Sequence, residues 1–127
     1  MPTVLDMADV DIPDSVEGQS LLPMMRGEEA PWRPWQQIEC VSGFQCLTDG
    51  REKYVWFTSD GREQFFDLEN DPDELHDLSR SAGSAERVAW WRSQLVEVLK
   101  DRPEGFSDGT RLVPGQPFPP CRQQNTR

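Results

Sequence analysis

Nucleophilic catalysis needs a nucleophile with a base in hydrogen-bond reach, and histidine is the usual base. The sequence holds one histidine, His76, in the run Asp71-Pro72-Asp73-Glu74-Leu75-His76-Asp77-Leu78. Acids on both sides favour the imidazolium form, so His76 reads as a solvated or structural side chain rather than a base. The carboxylates Asp71, Asp73, Glu74 and Asp77 lack the glycine and the spacing of a calcium loop and read as a solvated acidic turn. The cysteines are Cys40, Cys46 and Cys121. An odd count with no export signal reads as free thiols. A zinc site needs about four ligands, and His76 lies 30 residues beyond Cys46 with no local partner. No Gly-rich phosphate loop, Gly-x-Ser-x-Gly elbow or His-Glu-x-x-His is present. Trp32, Trp35, Trp56, Trp90 and Trp91 could form a stacking platform, but at strand and helix spacing they read as core or interface.

What must position these residues is modest in size. The 127 residues suffice for one core, and 35% hydrophobic residues with 11 Pro and 9 Gly leave part of the chain as loop or tail. The net charge of −10 repels phosphate backbones and anionic lipid surfaces, which argues against nucleic-acid and membrane roles. No stretch is long and apolar enough to span a membrane, and Asp6, Asp9 and Asp11 stand where a signal peptide would be basic and apolar, so the cytoplasm is the expected compartment. Charge is unevenly placed: residues 1–30 carry 7 acids and 1 base, residues 31–80 carry 11 and 5, and residues 81–127 carry 5 and 7.

Three segments follow. Residues 1–35 form a join, with a short helix over 2–9 and irregular chain to about Pro34. Residues 36–102 form an α+β unit. Strands over 36–41, 44–48, 53–58 and 63–68 are separated by Ser42-Gly43, Asp49-Gly50 and Asp60-Gly61, and a helix runs from the cap Ser84 to about Lys100 with apolar residues at Val88, Trp91, Leu95, Val98 and Leu99. Residues 103–127, rich in Pro and Gly, run as an extended strap or loose tail.

Two-residue Asp-Gly turns would make the sheet a four-stranded antiparallel meander, with Phe44 opposite Val55 and Val55 opposite Phe66. One face then carries Phe44, Cys46, Val55, Phe57, Phe66 and Leu68. The other carries Leu47, Tyr54, Trp56 and Phe65 among polar neighbours. One helix covers one face, so the second set is expected to be left open as a docking face, able to meet a larger domain or to drive self-association.

The segment from Leu47 to Leu78, Leu-Thr-Asp-Gly-Arg-Glu-Lys-Tyr-Val-Trp-Phe-Thr-Ser-Asp-Gly-Arg-Glu-Gln-Phe-Phe-Asp-Leu-Glu-Asn-Asp-Pro-Asp-Glu-Leu-His-Asp-Leu, closely resembles the C-terminal part of the sulfatase family, bacterial arylsulfatases in particular. Pro2-Thr-Val-Leu-Asp6 read from residue 2, with Gly18-Gln-Ser-Leu-Leu-Pro23, resembles the family's join to its catalytic domain, and Gly105-Phe-Ser-Asp-Gly109 resembles its end. The resemblance implies a four-stranded sheet and helix packed beside a large α/β catalytic domain. It also implies catalysis by a formylglycine made within a Cys/Ser-x-Pro-x-Arg motif, with a divalent cation, usually calcium. Neither the motif nor the cation's Asp-Asp and Asp-Asn pairs occur here, so the chain alone is expected to be inactive. Relatives often read Glu-His where this chain has Glu39-Cys40. If that histidine faces the substrate cleft, Glu39 and Cys40 mark its rim and the change weakens an assisting role; otherwise Cys40 is a small buried strand residue. Two classes stay open: the C-terminal portion of an arylsulfatase, whether a fragment or half of a split enzyme, which completes and walls the catalytic domain; or a free-standing acidic binding module.

Overall fold

The computed structural model describes residues 1–16, 18–31, 33–40 and 43–117. Trp32, the strand end at Val41, Ser42 of the first turn and Cys121 with the end of the tail lie outside the described residues. The chain divides into two compact units, residues 1–33 and 34–127.

The first unit contains α1 (Pro2–Met7) and α2 (Leu22–Met25). Pro2 occupies the first turn of α1, where its missing N–H costs nothing. The Leu21 amide donates to Thr3 Oγ1 at 3.1 Å and Ser20 Oγ donates to Asp6 Oδ2 at 2.5 Å, tying the α2 approach to α1. The short α2 interrupts what composition presents as irregular chain. It carries Pro23 in its first turn and stops before Gly27 (φ 73°), where Gly27 N–H donates to the Met24 carbonyl and Glu28 N–H to that of Pro23. A left-handed glycine with these two bonds satisfies the last carbonyls of a helix.

The second unit is a sheet of four antiparallel strands in the order β1 (Gln36–Cys40), β2 (Phe44–Thr48), β3 (Glu52–Phe57), β4 (Glu63–Asp67), followed by α3 (Ala85–Leu99). The α+β meander and the C-terminal helix are as the sequence predicts. The register is not. Phe44 pairs with Phe57 instead of Val55, and Val55 pairs with Gln64 instead of Phe66. A two-residue type I′ turn needs positive φ at both central residues. Gly50 (φ 88°) and Gly61 (φ 75°) comply, but neither Asp49 nor Asp60 is among the positive-φ residues. Instead Asp49 Oδ1 accepts the N–H groups of Arg51 and Glu52, and Asp60 Oδ1 accepts that of Arg62, so each loop takes four residues. Each register moves by two residues, and an even shift leaves every side chain on its expected face.

The faces keep their members, but the cover is reversed. Leu47, Tyr54, Trp56 and Phe65, expected to stay open for docking or self-association, form one core with Val88, Trp91, Leu95, Leu99 and Phe106 and are at most 3% exposed. The physical reason lies in their polar neighbours. Glu52 and Glu63, which look like marks of a wet face, are partners of helix arginines, so α3 brings its own countercharges to the acidic face. Burial of each such side chain is worth about 1.5–3 kcal/mol, so the closed arrangement wins.

Residues 106–117 form a strap. Phe106 is fully buried, edge-on to Trp56 with ring centroids 6.0 Å apart. Ser107 bridges Leu112, Val113 N–H returns to the Phe106 carbonyl at 2.9 Å, and Gly115 N–H reaches the Thr58 carbonyl at 2.7 Å.

Candidate functional site

The residues with chemical potential are spent largely on holding the fold. Two clamps join α3 to the sheet. In the first, Glu52 of β3 accepts from Arg87, through Nε at 3.0 Å and a closer contact from Nη2, and from Trp91 Nε1 at 2.7 Å. In the second, Glu63 of β4 accepts from Arg92 Nε at 2.5 Å and Nη2 at 2.7 Å, and from the Tyr54 hydroxyl. Burial opposes ionisation of Glu63, but the hydrogen bonds from Arg92 and Tyr54 outweigh it and hold the carboxyl below its ordinary range. Burial, and then the bond to Glu63, push the Tyr54 phenol upward. Carboxylate, guanidinium and an aromatic donor together form a charge-assisted network. Periodicity is blind to the helix-to-sheet partnerships because they join residues 29 to 39 positions apart. The available signal was Glu52 and Glu63 sharing a face with Tyr54 and Phe65, beside arginines that flank the helix stripe.

The acidic turn is structural too. Asp67 Oδ1 accepts the Glu69 and Asn70 amides, Asp71 accepts those of Leu75 and His76, and Asp77 Oδ1 accepts those of Phe65 and Ser79. Leu78 N–H then donates to the Phe65 carbonyl at 2.8 Å. For Asp71 and Asp77, desolvation is outweighed by these amide bonds; for Asp67, the Asn70 side chain contributes most; all three carboxyls sit below their usual range. His76 is exposed, with Nδ1 3.3 Å from Asp71 Oδ2, which places it on the outside of a loop.

Glu39 and Cys40 are consecutive in β1 and therefore point to opposite faces. Glu39 lies on the α3 side and pairs with Arg102 at 2.8 Å, while Cys40 is half-buried on the other. The strand thus presents the two side chains to opposite sides of the sheet. Cys46 is buried, and desolvation pushes its thiol up to about 11, leaving it protonated and inert at neutral pH. Cys46 is a free thiol. Trp35, Trp90 and Trp91 meet edge to face, with centroids 4.8 to 6.4 Å apart, as a packing cluster. No group of three or more His, Cys, Asp or Glu side chains among the described residues is placed to hold a metal, so the divalent cation implied by the resemblance has no fit among them. No helix among them is long and apolar enough to cross a membrane.

The family model described as N-sulphoglucosamine sulphohydrolase, C-terminal, matches residues 1–101. An arylsulfatase of Clostridium perfringens (strain 13 / Type A) is 40% identical over 120 residues, covering 92% of this chain and 25% of that protein. Among solved structures, a 2-O GAG sulfatase superposes with a TM-score of 0.71 at 21% identity, over 89% of this chain and 26% of its own. A phosphonate monoester hydrolase from Silicibacter pomeroyi gives 0.66 at 24% identity, over 77% and 23%. The last two share the fold. The chain thus spans about a quarter of the length of the arylsulfatase it matches. With a family model over most of its length and that relative along nearly all of it, the chain belongs to the sulfatase C-terminal family, as the C-terminal portion of an arylsulfatase-like protein.

Proposed function

We propose that the chain serves sulfate-ester hydrolysis by completing and walling the catalytic domain of an arylsulfatase-like enzyme, which supplies the nucleophile and the divalent cation. The observation that carries this reading is the 40% identity to an arylsulfatase along 92% of the chain. It is supported by the way Glu52, Glu63, Asp67, Asp71 and Asp77 are all engaged in holding the fold, which leaves no acid–base pair among them for chemistry. The partner is the catalytic domain, and neither nucleic acid nor membrane is one, as the net charge of −10 favours. The cytoplasm is the proposed compartment, supported by the buried free thiol of Cys46.

The test replaces the corresponding C-terminal quarter of the C. perfringens arylsulfatase with this chain. The chimera is expected to fold and turn over an aryl sulfate, while neither the truncated enzyme nor the isolated chain turns it over. Metal-dependent turnover by the isolated chain, or a chimera as inactive as the truncated enzyme, would overturn the proposal.

A further inference from the structure

Single apolar side chains on a surface need no explanation, but a concentration of them does. Of the eleven large apolar side chains exposed among the described residues, eight lie in residues 1–33, and the other three are Ile38, Leu75 and Trp90. The eight include all four methionines of the chain, Met1, Met7, Met24 and Met25, each more than half exposed. Helix α1 is amphipathic in the wrong sense for a chain standing alone. Its inner face is Pro2, which is buried and would lie 3.1 Å from a Cβ at Gly18, together with Thr3 and Asp6, whose side-chain oxygens accept the Leu21 amide and the Ser20 hydroxyl. Its outer face is Met1, Val4 and Met7, recurring at every third residue and 76%, 68% and 63% exposed. Around α2, Leu21, Met24 and Met25 are exposed at the same helical spacing while Leu22 is buried. We propose that this methionine-rich surface of the first unit is a docking face for the catalytic domain of an arylsulfatase-like enzyme, which meets it with an apolar surface rimmed by basic side chains.

Charge and length select the occupant. Residues 1–30 carry 7 acids and 1 base, and Asp9, Asp11 and Asp14 are exposed. A second copy of the chain would bring two such acidic segments together, and an anionic lipid surface would repel them. A protein surface with Lys and Arg around an apolar centre matches both the acids and the stripe. The chain spans 25% of the arylsulfatase it matches, so most of such a protein lies outside it and can supply that surface. Methionine suits the contact, because its unbranched, polarisable side chain fills irregular gaps between apolar surfaces. The choice of partner rests on the arylsulfatase reading; the exposure of the stripe does not.

Oxidation by dilute hydrogen peroxide, read residue by residue by mass spectrometry, reports the cover directly, because a thioether shielded from the oxidant forms its sulfoxide slowly. The isolated chain is compared with the chimera in which it replaces the C-terminal quarter of the C. perfringens arylsulfatase. In the isolated chain, Met7, Met24 and Met25 are expected to oxidise as fast as N-acetylmethionine amide, at any protein concentration. In the chimera each should oxidise at least about tenfold more slowly, as the oxidant reaches it only when the interface opens. Val4→Gln and Met25→Gln should leave the melting temperature of the isolated chain unchanged, since both side chains are exposed there, and should lower that of the chimera. Equal oxidation rates in the two proteins, or a chimera whose melting temperature ignores both substitutions, would overturn the docking face whatever its activity. Slow oxidation in the isolated chain would overturn it too, because the chain would then cover the stripe itself, and protection that grows with the concentration of the isolated chain would assign the stripe to a second copy instead. An inactive chimera with protected methionines would refute the arylsulfatase reading and leave the docking face standing.

Discussion

At the scale of single residues, the carboxylates are structural, and this makes stability pH-dependent in a definite direction. Glu63, Asp67, Asp71 and Asp77 all have folded-state pKa values below their ordinary ones. A depressed carboxyl contributes stability that is present above the unfolded pKa, about 4, and is lost as pH falls through the folded value. The urea midpoint of the chain is therefore expected to be level from pH 7 to about 5 and to fall between about pH 4 and 2. Glu63→Gln should lower the unfolding free energy at pH 7 by about 1–2 kcal/mol, because Arg92 and Tyr54 lose a charged acceptor in a half-buried site. The variant should converge on the parent in acid, where Glu63 is protonated in both states. A flat pH profile, or an undiminished difference at pH 2, would contradict the clamp. The same network shows what was hidden at this scale: Glu52 and Glu63 look like solvent-facing residues until the helix arginines 29 to 35 positions away are brought to them.

Elements were largely legible. The four strands, their order and α3 follow from apolar spacing and Asp-Gly punctuation, since a strand or helix face is a local, periodic property. Turn geometry was not, because Asp49 and Asp60 have a choice. They can adopt positive φ in a two-residue turn, or use their carboxylates to cap following amides in a longer one, and the structure takes the second option. Both glycines nevertheless sit at positive φ, where a β-branched side chain is strained by about 1–2 kcal/mol. A Cβ at Gly50 would meet nothing within 4 Å, whereas one at Gly61 would lie 3.3 Å from Pro114 Cγ. Gly50→Val should therefore cost about 1–2 kcal/mol by strain alone. Gly61→Val should cost more, because the strap must also move. Denaturant midpoints in the reverse order, or unchanged in both variants, would show that the turns are drawn wrongly.

For the whole molecule, the strap is where the sequence was least informative. A Pro- and Gly-rich stretch reads as connector, yet Phe106 is fully buried against Trp56 and Ser107 Oγ donates to the Val96 carbonyl at 2.9 Å. Phe106→Ala is expected to destabilise the chain by about 3–5 kcal/mol, as for other buried aromatics. Phe118→Ala is a comparison from the same tail, outside the described residues. Thermal unfolding decides the matter: a Phe106→Ala chain as stable as the parent would show that the strap contributes nothing to the core. The sequence by itself determined the family, the α+β meander, the helix and the membership of each sheet face, because these rest on short-range periodicity and on a run of residues from 47 to 78 that stays contiguous. Only the tertiary structure decided the register, which face the helix covers and that Phe106 closes the core. Those outcomes depend on capping choices at two aspartates and on ion pairs and ring contacts between segments far apart in the chain, which no local pattern encodes.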